Sequence, residues 1–293
     1  MKVFLTGGSG FLGSHVADAL SEAGHEVVIY DVVESPYLRD DQTMVVGDLL
    51  DSELIDKSLA GADAVYHFAG VADIEDCADE PVKTVQVNVL GTVQLLQSCV
   101  NAGVGRFLFA SSAYVFSESG SFYRTSKRAC ESFIDDFATC YGLDYTCLRY
   151  GSLYGPRATD KNSIHSLLKQ AVDKGEIVYK GSGEEQREFI HVYDAAKSSV
   201  EALAPEYANQ NVILTGVEKM RYLDLLEMIQ EIFGGSVELK VLPSERKAHY
   251  RMTPYSFAPK LGRKLVSNPY VDFGQGMLEC INELHSEKVE NGL

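Results

Sequence analysis

Tyr123 and Lys127 stand four residues apart in the stretch SSAYVFSESGSFYRTSK (111–127), and Ser112 lies eleven residues ahead of the tyrosine. On a helix that spacing puts the phenol and the ammonium on one face. A free phenol titrates at about 10 and is a poor base at neutral pH. A neighbouring ammonium favours the phenolate and brings proton abstraction within reach. The same residue types also occur at ordinary exposed helix starts. The pair therefore acquires chemical meaning only from the elements around it.

Those elements alternate. Apolar runs at 2–7, 26–31, 43–48, 64–70, 106–112 and 144–150 read as strands, and helical patterns fill 11–23, 52–61, 81–102 and 123–142. Continuous apolar strands interleaved with helices specify a parallel sheet covered on both faces. The fold class expected is α/β: a doubly wound parallel-sheet Rossmann fold with a smaller, interleaved C-terminal substrate lobe. The first domain is expected over 1–175, with part of 189–204 returning to it, and the smaller lobe over most of 176–293. In the second part LYGPR (153–157) breaks the pattern, and VYKGSGEEQREFIHVYD (178–194) joins a glycine-rich turn to a short strand. Helices are expected near 162–174, 222–235 and 274–287.

Between the first strand and first helix, TGGSGFLG places Gly7, Gly10, Phe11, Leu12 and Gly13. Glycines there permit a tight turn and let a pyrophosphate approach a helix N-terminus, whose NH groups favour anions. Asp31 ends the second strand 18 residues past Gly13. A carboxylate at that point accepts both adenosine ribose hydroxyls and repels a 2′-phosphate. No arginine follows in DVVESP, so NAD is favoured over NADP.

The 293-residue chain is 45% hydrophobic and carries a formal net charge of −16. That balance argues against nucleic-acid and anionic-membrane partners, which favour basic surfaces. No apolar run approaches the roughly 20 residues of a membrane span, and MKVFLTGGSG is too short an apolar start for a signal peptide. A cytoplasmic protein is expected. The six cysteines form no CxxC pair and no metal-ligand spacing, so buried free thiols are expected and no metal.

TGGSGFLG, GDL (47–49), HFAG (67–70), NVLGT (88–92), the Tyr123/Lys127 pair and LRYGSLYGPR (148–157) occur in that order. Together they resemble the extended short-chain dehydrogenase/reductase family, in its NAD-dependent nucleotide-sugar epimerase/dehydratase branch. The resemblance covers most of the chain and is strongest over 1–195. It implies that Asp48 and Leu49 contact the adenine, that Phe68, Ala69 and Gly70 line the cofactor path, and that Tyr150 lies on the cofactor side. Asn88 is implied as a structural or cofactor-side polar group. Lys127 is implied to bond the nicotinamide ribose as well as to assist Tyr123. Ser112 matches the family's catalytic Ser/Thr, which bonds the reacting sugar hydroxyl, with Ser111 the alternative. On the substrate side Arg187 is implied to meet the nucleotide diphosphate, with Tyr179 as a base-stacking partner. Arg246 stands where a second diphosphate arginine is usual, although an exposed surface arginine is an equal reading.

Departures from the family pattern bear on the reaction. Family dehydratases carry an Asp-Glu pair directly after the catalytic Ser/Thr, and the decarboxylases a nearby glutamate. Here Ala113, Tyr114 and Val115 follow Ser112, with no carboxylate before Glu118. The expectation is a 4-epimerase that oxidises C4 to a 4-keto sugar and returns hydride to either face. A keto-sugar reductase or sugar dehydrogenase with exchangeable NAD(H) is the enzymatic alternative, and a catalytically silent NAD-binding regulatory subunit the other. The family's Phe-Asn is replaced by Gly151-Ser152, so Ser152 takes the place of a substrate-touching amide. The Ser112–Tyr123 segment is also short for this branch, which predicts a nicotinamide end left open or covered from elsewhere. Family members often pair the helices near 82–102 and 123–141, so a homodimer is expected, with Val85, Val89, Val93, Leu96, Phe133 and Phe137 as candidates.

Overall fold

The computed structural model describes residues 1–217 and 219–242. Its first half alternates strand and helix: β1 (Lys2–Thr6), α1 (Phe11–Glu22), β2 (Glu26–Asp31), β3 (Gln42–Val46), α2 (Ser52–Leu59) and β4 (Ala64–His67). A short α3 (Ile74–Asp79) follows, and the Asp73 carboxylate caps it by accepting from the Glu75 and Asp76 amides. The long helix expected over 81–102 runs as α4 (Pro81–Thr84), a π-helical turn over Val85–Leu90 and α5 (Gly91–Ala102). Then come β5 (Arg106–Ser112), α6 (Ser121–Tyr141) and β6 (Tyr145–Tyr150).

These strands and one later strand form a seven-stranded parallel sheet in the order β10-β6-β5-β4-β1-β2-β3, with β10 at Gln210–Leu214. Both faces are buried, which accounts for the continuous apolar runs. Phe4, Val28, Tyr30, Phe107 and Phe109 pack on one face against Leu95, Leu96 and Ile134 of α5 and α6. Val3, Leu5, Tyr66 and Leu148 point to the other face, against Val16 and Leu20 of α1. The chain moves outward from β1 through β2 and β3, then reverses through β4, β5 and β6. The reversal opens a crevice past the ends of β1 and β4, where such sheets bind ligands.

Beyond β6 the chain builds β7 (Ser152–Tyr154), α7 (Ser163–Lys174), β8 (Glu176–Lys180), β9 (Gln186–His191), α8 (Val192–Glu201), β11 (Lys219–Arg221), α9 (Tyr222–Ile232) and β12 (Glu238–Leu242). Two small sheets result, β11-β9-β7 and β12-β8. Two features differ from the sequence expectation. The return to the large sheet includes β10 as well as α8, so it extends to Leu214. β10 is an edge strand with mostly exposed positions, which leaves no buried-strand signature in its sequence. Helix α7 contributes Ile164, Leu167 and Ala171 to a core shared with β8 and α9, so it sits with the smaller lobe and not before a boundary at 175. The helix expected near 274–287 and Arg246 lie outside the described residues. Among the described residues no helix is long and apolar enough to cross a membrane, and no group of histidine, cysteine or carboxylate side chains could hold a metal.

Candidate active site

The crevice begins at the glycine-rich turn after β1. Gly7 has φ +77°, and a Cβ there would sit 2.5 Å from the Ala69 nitrogen. A Cβ on Gly13 would sit 2.2 Å from the Gly7 carbonyl oxygen. These contacts press the turn against the loop after β4 and against the first turn of α1. Gly10 caps α1 without a side-chain bond and has only the Gly7 oxygen near its missing Cβ, at 3.3 Å. No side chain from elsewhere in the chain fills the space beside Gly10, which leaves at the helix N-terminus a cradle that fits a pyrophosphate. Phe11 and Leu12 open the helix there. Asp31 accepts from the Ser9 amide at 3.0 Å, and the Ser9 hydroxyl donates to the Val33 carbonyl at 2.8 Å. Asp31, the carboxylate expected on the ribose side, is therefore tied to the glycine turn. Arg39, the first arginine after it, is held by Asp41 and Glu22.

Further along the crevice, Tyr30 donates to the Asp48 carbonyl, and Asp48 accepts from the Leu50 amide. Leu49 is buried under α5, where a Cβ on Gly91 would meet its Cδ2 at 2.7 Å. Phe68, Ala69 and Gly70 form the loop after β4. Asn88, in the π-helical turn, accepts from the Val71 amide and donates to both the Val71 carbonyl and Ser126. Its side chain holds the loop against α6. Behind the loop, Thr6 bonds His67 Nδ1 at 2.7 Å, His67 Nε2 bonds Thr92 at 2.9 Å, and Thr92 donates to the Asn88 carbonyl. Because Thr92 spends its proton on that carbonyl, His67 donates from Nε2 and accepts at Nδ1. Burial, then the nearby Lys127 charge, lowers the His67 pKa to about 3, so the ring stays neutral.

Tyr123 and Lys127 lie in the first turns of α6. Lys127 is buried, its Nζ 4.7 Å from the Phe109 ring centroid and 6.0 Å from that of Tyr123. Burial lowers its pKa, opposed by Cys130, Cys77 and Glu131. Ser112 ends β5 and caps a 3₁₀ turn over Ala113–Phe116, its hydroxyl oxygen accepting from the Tyr114 amide at 3.2 Å. Strand alternation turns Ser111 to the opposite face, where it donates to Glu131, itself in a two-point pair with Arg149 at 2.9 and 2.7 Å. The short segment is folded tightly between Ser112 and Tyr123. Arg124 donates to the Ser117 and Glu118 carbonyls, and Gly120, at φ +100°, lies under the Tyr114 ring. Tyr114 stands edge-on to Tyr123 with centroids 6.1 Å apart. Nothing in the sequence pattern marked Arg124 for this clamp.

The substrate-side candidates are dispersed over the smaller lobe. Arg187 is buried on β9 with its guanidinium 5.6 Å from the Tyr222 ring. Tyr179 stacks on Tyr222 at 5.0 Å and donates to Glu185 at 3.0 Å. Both rings border a cavity of about 380 Å³ between α3 and α7, whose lining carries Asp73, Glu75, Asp76, Asp160 and Lys161, with Asp76 paired to Lys161 and Asp160 to Lys169. Ser152 starts β7 opposite Phe189. A Cβ on Gly151 would meet Thr215 Cγ2 at 2.8 Å and the Glu188 carbonyl oxygen at 3.1 Å, so the space of a larger residue is filled by neighbours. The Tyr150 phenol points into the sheet's α1/α8 core and bonds Ser199 at 2.6 Å, leaving backbone as its means of touching a cofactor.

A parallel sheet with a glycine-bordered crevice at its switch point, and a Tyr–Lys helix beside it, defines a dinucleotide-dependent α/β enzyme class. Residues 3–214 match the NAD dependent epimerase/dehydratase family, and the chain belongs to that family. It is 26% identical to a dTDP-glucose 4,6-dehydratase of an Actinoplanes species, over 96% of this chain and 97% of that protein. The UDP-glucose 4-epimerase of Thermotoga maritima, solved with UDP-glucose, superposes with TM-score 0.79 at 26% identity, covering 88% of this chain and 90% of that one. The UDP-N-acetylglucosamine 4-epimerase of Methanobrevibacter ruminantium, solved with UDP-N-acetylmuramic acid, gives TM-score 0.80 at 27% identity, with 88% and 89% covered. The cofactor is NAD, in keeping with the family and with the cradle at α1.

Proposed function

We propose that the protein is a nucleotide-sugar 4-epimerase. The observation that carries this reading is the composition of the turn after Ser112. Ala113 is buried and Tyr114 packs edge-on to Tyr123, where an eliminating enzyme needs carboxylates. In this role Tyr123, as phenolate, takes the proton of the sugar C4 hydroxyl. Lys127 favours the phenolate by its charge, and the Ser112 hydroxyl holds the sugar oxygen. NAD, when bound, supplies reversible acceptance of hydride from C4. The 4-keto sugar then turns in the site before reduction on its other face. Arg187 suits the diphosphate because its planar fork pairs with phosphate oxygens. Carboxylates outnumber the one lysine, Lys161, around the cavity beside Tyr179, which favours a less charged part of the substrate there over the diphosphate.

The test uses the purified protein with UDP-, dTDP-, GDP- and CDP-hexoses and no added cofactor. Interconversion of C4 epimers supports the reading. Stoichiometric consumption of added NADH with a keto sugar, without epimerisation, replaces it with a reductase. A 4-keto-6-deoxy product would instead identify a dehydratase.

A homodimer through α4, α5 and α6 is proposed with it. Val82 on α4, Val85 and Leu90 in the π-helical turn and Phe133 on α6 are exposed, whereas Leu96 and Phe137 are core residues. Light scattering on Val85→Lys/Phe133→Lys against wild type decides it, a monomer only in the variant being the supporting result.

A further inference from the structure

The segment that follows β7, Gly155–Pro156–Arg157, is bent back onto α1 in a conformation that proteins rarely adopt. Gly155 has φ +137°, and Arg157, which is not glycine, has φ +66°. A left-handed arginine persists only where its surroundings hold it. The holding contacts all run to one neighbourhood. His15, two residues past the Gly13 contact on α1, donates from Nε2 to the Pro156 carbonyl at 2.9 Å. Burial lowers the His15 pKa, so the donor is a neutral ring. One turn on, Asp18 accepts from Arg157 Nη2 at 2.7 Å, with both side chains about one-fifth exposed. The same guanidinium lies 4.3 Å from the ring centroid of Tyr37. Its other terminal nitrogen, Nη1, is buried without a hydrogen-bond partner among the described residues.

Tyr37 belongs to the segment that follows Asp31. That segment is already joined to the glycine turn through Ser9 and Val33. Arg157 therefore closes a ring: glycine turn, post-β2 segment, Arg157, Asp18, α1. The glycine turn and the segment after Asp31, which would flank the cofactor's pyrophosphate and ribose, are both members of this ring. On its other side the strap continues into β7 and touches the smaller lobe, since His15 packs on Tyr193, and His191 packs on both Tyr193 and Tyr154.

We propose that Arg157, braced by Asp18 and Tyr37, is a latch that retains NAD between catalytic cycles by holding the walls of its site together. Opening the latch exposes the dinucleotide; closing it makes the cofactor resident. The inference depends on the NAD site and not on the epimerase reading, because it concerns cofactor residence and needs no sugar substrate.

The experiment uses the full chain as purified. NAD content is measured after acid release, and the rate of NAD loss is followed by trapping released cofactor with an excess of an NAD-consuming dehydrogenase. Arg157→Ala is expected to release NAD at least tenfold faster than wild type, which corresponds to about 1.4 kcal/mol. Asp18→Asn is expected to fall between them, and Arg157→Lys to lie near Asp18→Asn because it keeps charge without the fork. A latch also obstructs entry, so NAD association in Arg157→Ala is expected to be no slower than in wild type. An arginine that merely supported the fold would slow it. Release within twofold of wild type in both Arg157→Ala and Asp18→Asn, with thermal midpoints retained, overturns the proposal. If Arg157→Ala does not fold, the exchanged pair Asp18→Arg/Arg157→Asp decides: slow release restored supports the latch, and fast release equal to Asp18→Asn overturns it.

Discussion

The glycine turn after β1 and the Tyr179–Tyr222 stack of the smaller lobe both keep a binding surface rigid, by different means. At the turn, backbone meets backbone: added Cβ atoms at Gly7 and Gly13 would lie 2.5 and 2.2 Å from main-chain atoms. In the smaller lobe, side chain meets side chain, with ring centroids 5.0 Å apart and a guanidinium beside them. Backbone contacts tolerate one residue type and no movement. Stacked side chains tolerate several types and can shift together. The glycine turn is therefore fixed in shape, whereas the ring stack of the smaller lobe has room to adjust.

Substitutions test that contrast, the largest effect first. Tyr123→Phe removes the base where the two halves meet; turnover in the epimerase assay should fall about 10²–10⁴-fold while NAD content stays at the wild-type level. Loss of NAD along with turnover would mean that Tyr123 serves mainly the cofactor side.

Acid stability probes the buried network behind the cofactor loop. His67 has its folded pKa lowered from 6.5 to about 3, chiefly by burial. Between those values the unfolded chain binds a proton that the folded chain refuses. Its contribution is full above pH 6.5 and is lost as pH falls toward 3. His67→Gln should flatten the dependence of urea-unfolding free energy on pH in that window, by up to one proton. An unchanged slope would place the charge sensitivity elsewhere.

Gly13→Ala comes next. Forcing a methyl against the Gly7 carbonyl should cost about 1–3 kcal/mol and empty the protein of NAD, read by calorimetry and by cofactor content. The smallest effect is expected in the smaller lobe. Tyr179→Leu removes a stack worth about 0.5–1.5 kcal/mol and should weaken nucleotide-sugar binding in calorimetric titration with NAD content unaltered. If Tyr179→Leu released NAD as readily as Gly13→Ala, the division between the halves would not hold.

Legibility in the sequence follows the same division. The strands β1, β2, β4, β5 and β6 were visible because burial on both faces requires unbroken apolar runs, and the cradle because only glycine fits its contacts. β10 was not visible, since an edge strand has few buried positions. α3 rests on a six-residue stretch with an aspartate cap, too short for periodicity to show. Ser111 and Ser112 are neighbours of one chemical type; strand alternation separates them, and only the packing of α6 on β5 shows that Ser111 meets Glu131 while Ser112 caps the turn that follows. The short 113–122 segment folds as a compact turn held by Arg124 and Gly120, contacts that its length alone did not disclose.

The linear chain by itself determined the layered α/β architecture, the dinucleotide turn, the preference for NAD and the Tyr123–Lys127 pair. Each is marked by a short local motif or by a periodicity that burial imposes. Tertiary structure alone decided that Asn88 clamps Val71, that the Tyr150 phenol is withdrawn into the core, and that neighbours fill the space beside Gly151. It also decided that Arg157 reaches 139 residues back to Asp18. A hydrogen bond or a filled space between distant segments leaves no local pattern, because many residue pairs satisfy it and only the folded backbone selects one.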